Sequence, residues 1–229
     1  MNHQDAKIPI DHLATYVKDC INVADHIVSV GCGSGIYESE ICRIVEGFKD
    51  KLILVDPDPT SFSKEIVPGM KPHYKHVLDL IKSNPKVVSN CVLLLIWPYA
   101  QHYVLPSPYV NSSGETVDLR IDYDIEAVNL LKPCSIICLY EKPDSMPNGA
   151  SASDGMVKLL YNPERYDYKL MCNTKYGFNG HMGGMYPQIR WIAKRGSRVP
   201  KEKTCLLLQD EADKVSTVDI NNEQVCTIS

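Results

Sequence analysis

A strand that ends in a cluster of glycines is the feature that most constrains the fold. Residues 26–30 read His-Ile-Val-Ser-Val, and glycines follow at Gly31, Gly33 and Gly35. Short apolar runs bounded by turn residues are typical of strands buried on both faces of a parallel sheet. Glycine permits a tight turn with positive φ and lets a ligand approach the backbone closely. The segment therefore predicts a strand-to-helix turn that can bind a ligand.

The residues after this turn complete a strand–helix–strand unit. Residues 51–59 form a second apolar run that ends in Asp56 and two prolines. Both turns would lie at the carboxyl edge of neighbouring parallel strands, so we expect Asp56 beside the glycines, where a carboxylate can accept hydrogen bonds from ribose hydroxyls. Helical spacing in the intervening segment places four apolar residues on one face: Ile41, Ile44, Val45 and Phe48.

Two further apolar runs predict central strands of the same sheet. They cover residues 91–97 and 135–141, and a helical stripe from residue 117 to residue 131 lies between them. Between residues 60 and 90 we expect a short or irregular third strand.

The last third of the chain predicts a short helix and late strands. The helix covers residues 154–161, and the candidate strands are residues 168–173, 188–194 and 204–208. The order of elements predicts an α/β fold: a doubly wound, mostly parallel sheet with a late antiparallel strand, in a three-layer α/β/α sandwich. We expect a single domain over residues 1–229.

The composition fits a globular domain and argues against a general nucleic-acid binder. Hydrophobic residues make up 44% of the 229 residues, and the formal net charge is −4 at pH 7. Binding to a phosphate backbone needs a basic surface, which this composition does not favour. The longest apolar run, residues 91–97, has the length of a strand and is too short for a membrane span.

The cysteines and the first residues favour a cytoplasmic protein. There are nine cysteines, an odd number, and none forms a C-x-x-C pair. Residues 1–16 are polar and lack the apolar segment of a signal peptide. We therefore expect free, mostly buried thiols in a reducing compartment. His73 and His76 have the spacing of a metal-binding pair, but no third ligand has familiar spacing, so no metal site is predicted.

Three ordered motifs resemble those of the class I S-adenosylmethionine-dependent methyltransferases. VSVGCGSG at residues 28–35 is similar to the first motif of this family, and LVDPDP at residues 54–59 resembles its acidic second motif. NLLKPCSIICLYE at residues 129–141 is similar to the Leu-Lys-Pro segment that precedes the fifth strand. The resemblance covers residues 24–141. It implies a Rossmann-like fold, S-adenosylmethionine as cofactor, and methyl transfer.

The resemblance also implies roles for individual residues, although it names no catalytic base. The cofactor would contact the glycine loop, the second-motif acid and the end of the fourth strand, through Gly31, Cys32, Gly33, Gly35, Asp56, Pro57 and Trp97. The acceptor would contact the loop that follows, through Pro98, Tyr99 and His102. Residues 142–210 would supply the late strands and acceptor-side elements, and residues 211–229 would form a flexible tail.

Departures from the family pattern keep other functions open. Ser29 stands where the family usually has an acidic residue, and Ile96 stands where amine-specific members have Asn or Asp. Both favour, as an alternative, a methyltransferase-like binding or regulatory module without turnover. Ile36 replaces the third glycine of a dinucleotide fingerprint, which disfavours an NAD-dependent oxidoreductase. If the chain is a methyltransferase, its acidity and its aromatic residues after Ile96 favour a small-molecule or protein acceptor over nucleic acid.

Overall fold

A six-stranded sheet forms the centre of the structure. The computed structural model describes residues 7–60, 65–98, 109–110, 116–117, 122–141, 151–175 and 187–198. The strands, in chain order, are β1 (His26–Val30), β2 (Leu52–Val55), β3 (Cys91–Ile96), β4 (Tyr109–Val110), β5 (Thr116–Val117), β6 (Ser135–Glu141), β7 (Tyr168–Lys175) and β8 (Pro187–Lys194). The helices are α1 (Lys7–Cys20), α2 (Ile36–Ile44), α3 (Phe48–Lys51), α4 (Val77–Ser83), α5 (Tyr123–Leu131) and α6 (Asp154–Tyr161).

The strand order places a crossover point beside the glycine turn. The order in the main sheet is β2-β1-β3-β6-β8-β7. Strands β2, β1, β3 and β6 are parallel, whereas β8 runs antiparallel to both β6 and β7. This confirms a mostly parallel sheet with one late antiparallel strand. The chain leaves β1 for β2 on one side and returns to β3 on the other side, and such crossover points form ligand-binding crevices in open α/β sheets.

Helices cover both faces of the sheet, which confirms the three-layer sandwich. Side chains alternate along β1, so that Ile27 packs with α1, α2 and α3 while Val28 packs with α4, α5 and α6. Leu94 and Leu93 of β3 divide between the same two layers. The carboxyl ends of β1, β2 and β3 therefore form one edge between two helical layers.

The expected third strand is reduced to a single contact at the edge of the sheet. Val55 and Tyr74 form an isolated parallel bridge, and the amide of Asp56 donates to the carbonyl of Tyr74 over 3.1 Å. Helix α4 begins three residues after Tyr74. The short or irregular third strand expected here is thus one isolated bridge, which supports the chain just after β2.

Two helix predictions need correction. The helix expected from residue 117 begins only at Tyr123, because Val117 pairs with Tyr109 in the small β4–β5 ribbon. The helix expected to include Phe48 ends at Ile44, since Gly47 adopts a φ of 74° and starts a separate short helix. As a result Ile44 is 45% exposed, while Val45 and Phe48 are buried.

Helix α1 was not predicted, although it carries much of one core layer. Leu13, Ala14 and Val17 are fully buried on it, and their spacing follows a helical face. None of the helices in the described part of the chain is long and apolar enough to cross a membrane.

Most described cysteines fit the expectation of free thiols, with one exception. Six are free: Cys20, Cys32, Cys42, Cys91, Cys134 and Cys138. Cys172 is disulfide-bonded, which corrects the expectation at this position. The candidate strand at residues 204–208 and the tail at residues 211–229 lie outside the described residues.

Candidate cofactor site

The glycine turn after β1 depends on backbone conformations that favour glycine. Gly31, Gly33 and Gly35 have φ values of 73°, 53° and 76°. The Gly31 amide donates to the Val55 carbonyl over 2.8 Å, and the Gly35 amide donates to the Cys32 carbonyl over 3.0 Å. The first bond ties the turn to the end of β2, and the second closes the turn before α2. The loop is therefore fixed at both ends.

The three glycines differ in what surrounds them. A Cβ added at Gly31 would lie 2.6 Å from the Tyr123 hydroxyl, and one added at Gly35 would overlap Met70. A Cβ added at Gly33 would meet no atom of the described residues within 4 Å. Gly31 and Gly35 are thus required by packing within the protein. Gly33 borders open space, where a ligand can approach the backbone.

Asp56 holds the amide of Gly33, the loop glycine that borders open space among the described residues. Its Oδ2 accepts from the Gly33 amide over 2.8 Å, and its Oδ1 accepts from the Asp58 amide over 2.7 Å. The residue is 8% exposed. Burial raises the pKa of Asp56, and the two amide hydrogen bonds oppose this rise. Each carboxylate oxygen keeps lone-pair capacity for a further donor, such as a ribose hydroxyl.

A second carboxylate lies under the loop and was not predicted. Glu38 is in the first turn of α2, and its Oε1 accepts a hydrogen bond of 2.6 Å from Ser29 Oγ. Both residues are 1% exposed. Burial raises the pKa of Glu38 to about 7, and the bond from Ser29 opposes the rise. The feature of the sequence that could have predicted this pair is a serine in the middle of an otherwise apolar strand.

The other predicted residues of the loop are Cys32 and Pro57. Cys32 is 7% exposed, and burial together with the charges of Glu38 and Asp56 raises its pKa well above the usual range. It is therefore a neutral thiol that fills space, unlike the exposed, low-pKa thiols that act as nucleophiles. Pro57 is half-buried and follows Asp56 directly.

Trp97 ends β3 in a conformation that is rare outside glycine. Its φ is 51°, and its amide donates to the Leu139 carbonyl over 2.8 Å. Trp97 and Tyr37 of α2 pack against the same core cluster, and the neighbouring Trp97 side chain lowers the pKa of Tyr37, although burial has the larger effect and raises it. Trp97 thus connects the ends of β3 and β6 to the helix that follows the glycine loop.

The structure brings together most of the predicted residues. Asp56 and Gly33 are in contact, and Trp97 reaches the first turn of α2 through Tyr37. Pro98 is buried at the end of β3. The predicted acceptor residues Tyr99 and His102 lie outside the described residues. Prediction from sequence missed Glu38, Tyr37 and Tyr123.

Comparisons with known proteins give matches in structure alone. No protein-family model matches the chain, and no curated protein matches it. A small RNA methyltransferase, HEN1, is similar over 86% of this chain at 12% identity and a TM-score of 0.47, and the match covers 26% of that protein. This chain therefore spans about a quarter of its length.

Two further solved structures are similar over most of this chain. The methyltransferase domain of a bacterial Hen1 matches 81% of this chain and 96% of its own at 12% identity, with a TM-score of 0.49. A Listeria monocytogenes protein assigned to the class I S-adenosylmethionine-dependent methyltransferases matches 85% of this chain and 62% of its own, at 15% identity and a TM-score of 0.48. The similarity is one of fold, and the sheet order of this chain is that of a Rossmann-like α/β/α sandwich.

Proposed function

We propose that the chain binds S-adenosylmethionine at the carboxyl edge of β1, β2 and β3 and transfers its methyl group to an acceptor. The observation that carries this proposal is the open space at Gly33, whose amide is fixed by Asp56. The space lies at the crossover point between β1 and β3, where open α/β sheets bind ligands.

The residues present fit an adenosine ligand with a charged amino-acid end. Asp56 has acceptor capacity for ribose hydroxyls, and the loop can approach a ligand closely at Gly33. The proposed cofactor contacts are Gly31, Cys32, Gly33, Gly35, Asp56, Pro57 and Trp97. When bound, the cofactor would supply an electrophilic methyl group on its sulfonium.

The protein's contribution to such a transfer is position and exclusion of water. Methyl transfer depends mainly on proximity and alignment of the reacting atoms. Trp97 is fixed by its bond to Leu139, and it is flanked by buried Ile96 and Pro98. These residues would form a rigid, apolar border beside the reacting group. Pro98, Tyr99 and His102 are the proposed acceptor contacts.

The proposed acceptor is a small molecule or a protein side chain. A net charge of −4 supports this choice over a nucleic acid, because phosphate backbones require a basic surface. The structurally similar HEN1 is a small RNA methyltransferase by name, so a methylation assay should include RNA. We also propose a cytoplasmic location, testable by cell fractionation; six of the seven described cysteines are free thiols, which supports it, whereas Cys172 is disulfide-bonded.

Calorimetric titration with S-adenosylmethionine and with S-adenosylhomocysteine tests the cofactor. We expect binding by the wild type and at least tenfold weaker binding by Asp56→Asn, because the introduced amide group would face the donors at Gly33 and Asp58. Asp50→Asn on the exposed surface of α3 is the control and should bind normally. Absence of binding by the wild type, or unchanged affinity in Asp56→Asn, would contradict the proposal.

A binding module without turnover is the second candidate. Ile96 is a buried apolar residue at the end of β3, and it offers no polar group to a target amine. Cofactor binding without methyl transfer across small-molecule, peptide and RNA acceptors would favour this alternative. Addition of NAD to the same titration tests the oxidoreductase function.

A further inference from the structure

We infer that the glycine-loop site selects ligands that carry positive charge, and that Glu38 is the residue that sets this selectivity. The inference rests on the proposed function, since it concerns the same site. Glu38 acts from beneath the loop through its charge, and is therefore a positioning residue.

The first observation is the incomplete hydrogen bonding of Glu38. Ser29 Oγ donates to Oε1 over 2.6 Å, whereas Oε2 has no partner in the described structure. The residue is 1% exposed, so the carboxylate is removed from bulk solvent. A buried carboxylate with an unpartnered oxygen is costly, and a cation bound nearby offsets that cost.

The second observation is the charge of the surroundings. Asp56, at the edge of the open space by Gly33, is also buried, and its charge raises the pKa of Glu38. The titratable groups that interact electrostatically with Glu38 are neutral or acidic: Cys32, Tyr37, Cys42 and Asp56. Among the described side chains, no lysine, arginine or histidine pairs with Glu38 or Asp56. The two carboxylates therefore give the site a negative potential that favours a cation.

The ligands of the proposed function differ in charge, and 5′-methylthioadenosine also lacks the amino-acid end of the other two. S-adenosylmethionine carries a sulfonium and an ammonium group, S-adenosylhomocysteine carries only the ammonium group, and 5′-methylthioadenosine carries neither. All three share the adenosine portion that Asp56 would contact. An effect of Glu38 through charge should be graded over this series, whereas structural damage to the loop should affect all three equally.

The charge of Glu38 is also expected to depend on pH near neutrality. Burial raises its pKa to about 7, so the ionised form that favours a cation predominates above this pH. Asp56 has a raised pKa as well, and its protonation at lower pH would act in the same direction. Affinity for S-adenosylmethionine should therefore decrease as the pH falls from 8 to 6.

Titration of the three ligands into wild-type protein and Glu38→Gln at pH 8 tests the inference. We expect the variant to lose roughly tenfold or more in affinity for S-adenosylmethionine, less for S-adenosylhomocysteine, and none for 5′-methylthioadenosine. Glu40→Gln is the matched control, because Glu40 lies on the same helix, has a side chain that is 45% exposed and pairs with Arg43. An equal loss for all three ligands, or no loss, would overturn the inference.

A second measurement needs no variant and applies if Glu38→Gln does not fold. Wild-type affinity for S-adenosylmethionine should fall more between pH 8 and pH 6 than that for 5′-methylthioadenosine, and an equal change in both would overturn the inference. If the wild type binds none of the ligands, the proposed function fails as well. If it binds them without charge dependence, only the inference about Glu38 fails.

Discussion

The two halves of the sheet differ in how they accommodate buried polar groups. In the half formed by β2, β1 and β3, both oxygens of Asp56 accept backbone amides, and Ser29 donates to Glu38. In the half formed by β6, β8 and β7, four buried atoms have no partner in the described structure: Tyr140 Oη, Asn173 Oδ1, Gln188 Oε1 and Arg190 Nε. The first half leaves one such atom, Glu38 Oε2, and uses its other polar groups to hold a loop in one conformation, whereas the second half carries several polar atoms that add no hydrogen bond within the described residues.

Arg190 shows how the second half tolerates such a group. The residue is 8% exposed, and its Nη1 donates to the Leu160 carbonyl over 2.6 Å at the end of α6. Its guanidinium lies 3.9 Å from the centre of the Tyr161 ring. A helix carboxyl end and an aromatic face both stabilise a cation. The charge of Arg190 is therefore stabilised by α6 and by Tyr161, although its Nε has no hydrogen-bond partner in the described structure.

The largest expected effect is on the glycine loop. Gly35→Ala should lower the free energy of unfolding by about 3 kcal/mol, because it combines a positive φ with overlap against Met70. Gly33→Ala has only the cost of a positive φ, so it should lower the free energy of unfolding by about 1 kcal/mol. Urea denaturation measures both values. Ligand affinity should be lost in Gly33→Ala, whose new methyl group enters the open space. Equal stability of the two variants would contradict the conclusion that Gly35 is packed against Met70 while Gly33 borders open space.

The next effect concerns the dependence of stability on pH. Burial raises the pKa of Glu38 from 4.5 to about 7, so the folded state favours its protonated form. The protonated carboxyl of Glu38 contributes its full stability below about pH 4.5. This contribution of about 3 kcal/mol is lost as the pH rises through 7. Glu38→Gln does not titrate. The stability of the variant relative to wild type should therefore increase by about this amount between pH 4.5 and pH 8.

Urea unfolding of both proteins at the two pH values measures this change. Contributions from Asp56 and Asp124, whose pKa values are also raised, largely cancel in the difference. Glu40→Gln should show a constant difference from wild type. If the difference in unfolding free energy between Glu38→Gln and wild type is also the same at both pH values, burial does not disfavour the charged form of Glu38. A variant that is more stable but binds the cation less well would show that the site trades stability for binding.

The smallest effects compare partnered and unpartnered polar atoms in the second half. Ser135 Oγ donates to the Ile192 carbonyl over 3.1 Å and accepts from Trp191 Nε1 over 2.6 Å. Ser135→Ala should therefore cost about 1–2 kcal/mol, since the indole donor is left buried without a partner.

Gln188→Met on the neighbouring strand should behave differently. Gln188 is 2% exposed and its Oε1 has no partner in the described structure. An apolar side chain of similar size removes the unpartnered atom, so stability should be unchanged or higher by up to about 1 kcal/mol. Thermal and urea unfolding of the two variants provide the measurement. A loss in Gln188→Met as large as that in Ser135→Ala would remove the contrast between the two atoms.

The sequence predicted those parts of the site that lie close together along one βαβ unit. The glycines and Asp56 follow adjacent strands, so their contact at Gly33 follows from the order of elements. The contact between Ser29 and Glu38 could not be derived in this way, because Glu38 looks like an ordinary acidic residue in a first helical turn. Its burial depends on how α2 is positioned against β1, and Gly35 and Met70 contribute to that position.

Two of the wrong predictions of secondary structure have a similar origin. Helix α1 precedes the first strand and is polar at its start. The helical spacing of Leu13 and Val17 could nevertheless have predicted it. Val117 fits the apolar stripe of α5 but pairs with Tyr109 in a ribbon. Periodicity identifies an apolar face, whereas the end of a helix depends on contacts with residues distant in sequence.

The positions of the tryptophans give the protein two separate optical reporters. The chain contains two tryptophans. Trp97 is half-buried beside the proposed site, whereas Trp191 is 3% exposed and lies with its ring centre 5.9 Å from that of Tyr16 in the core. Indole emission responds to the polarity around each ring. Occupation of the site would therefore change the fluorescence of Trp97, and that of Trp191 would change only when the core opens.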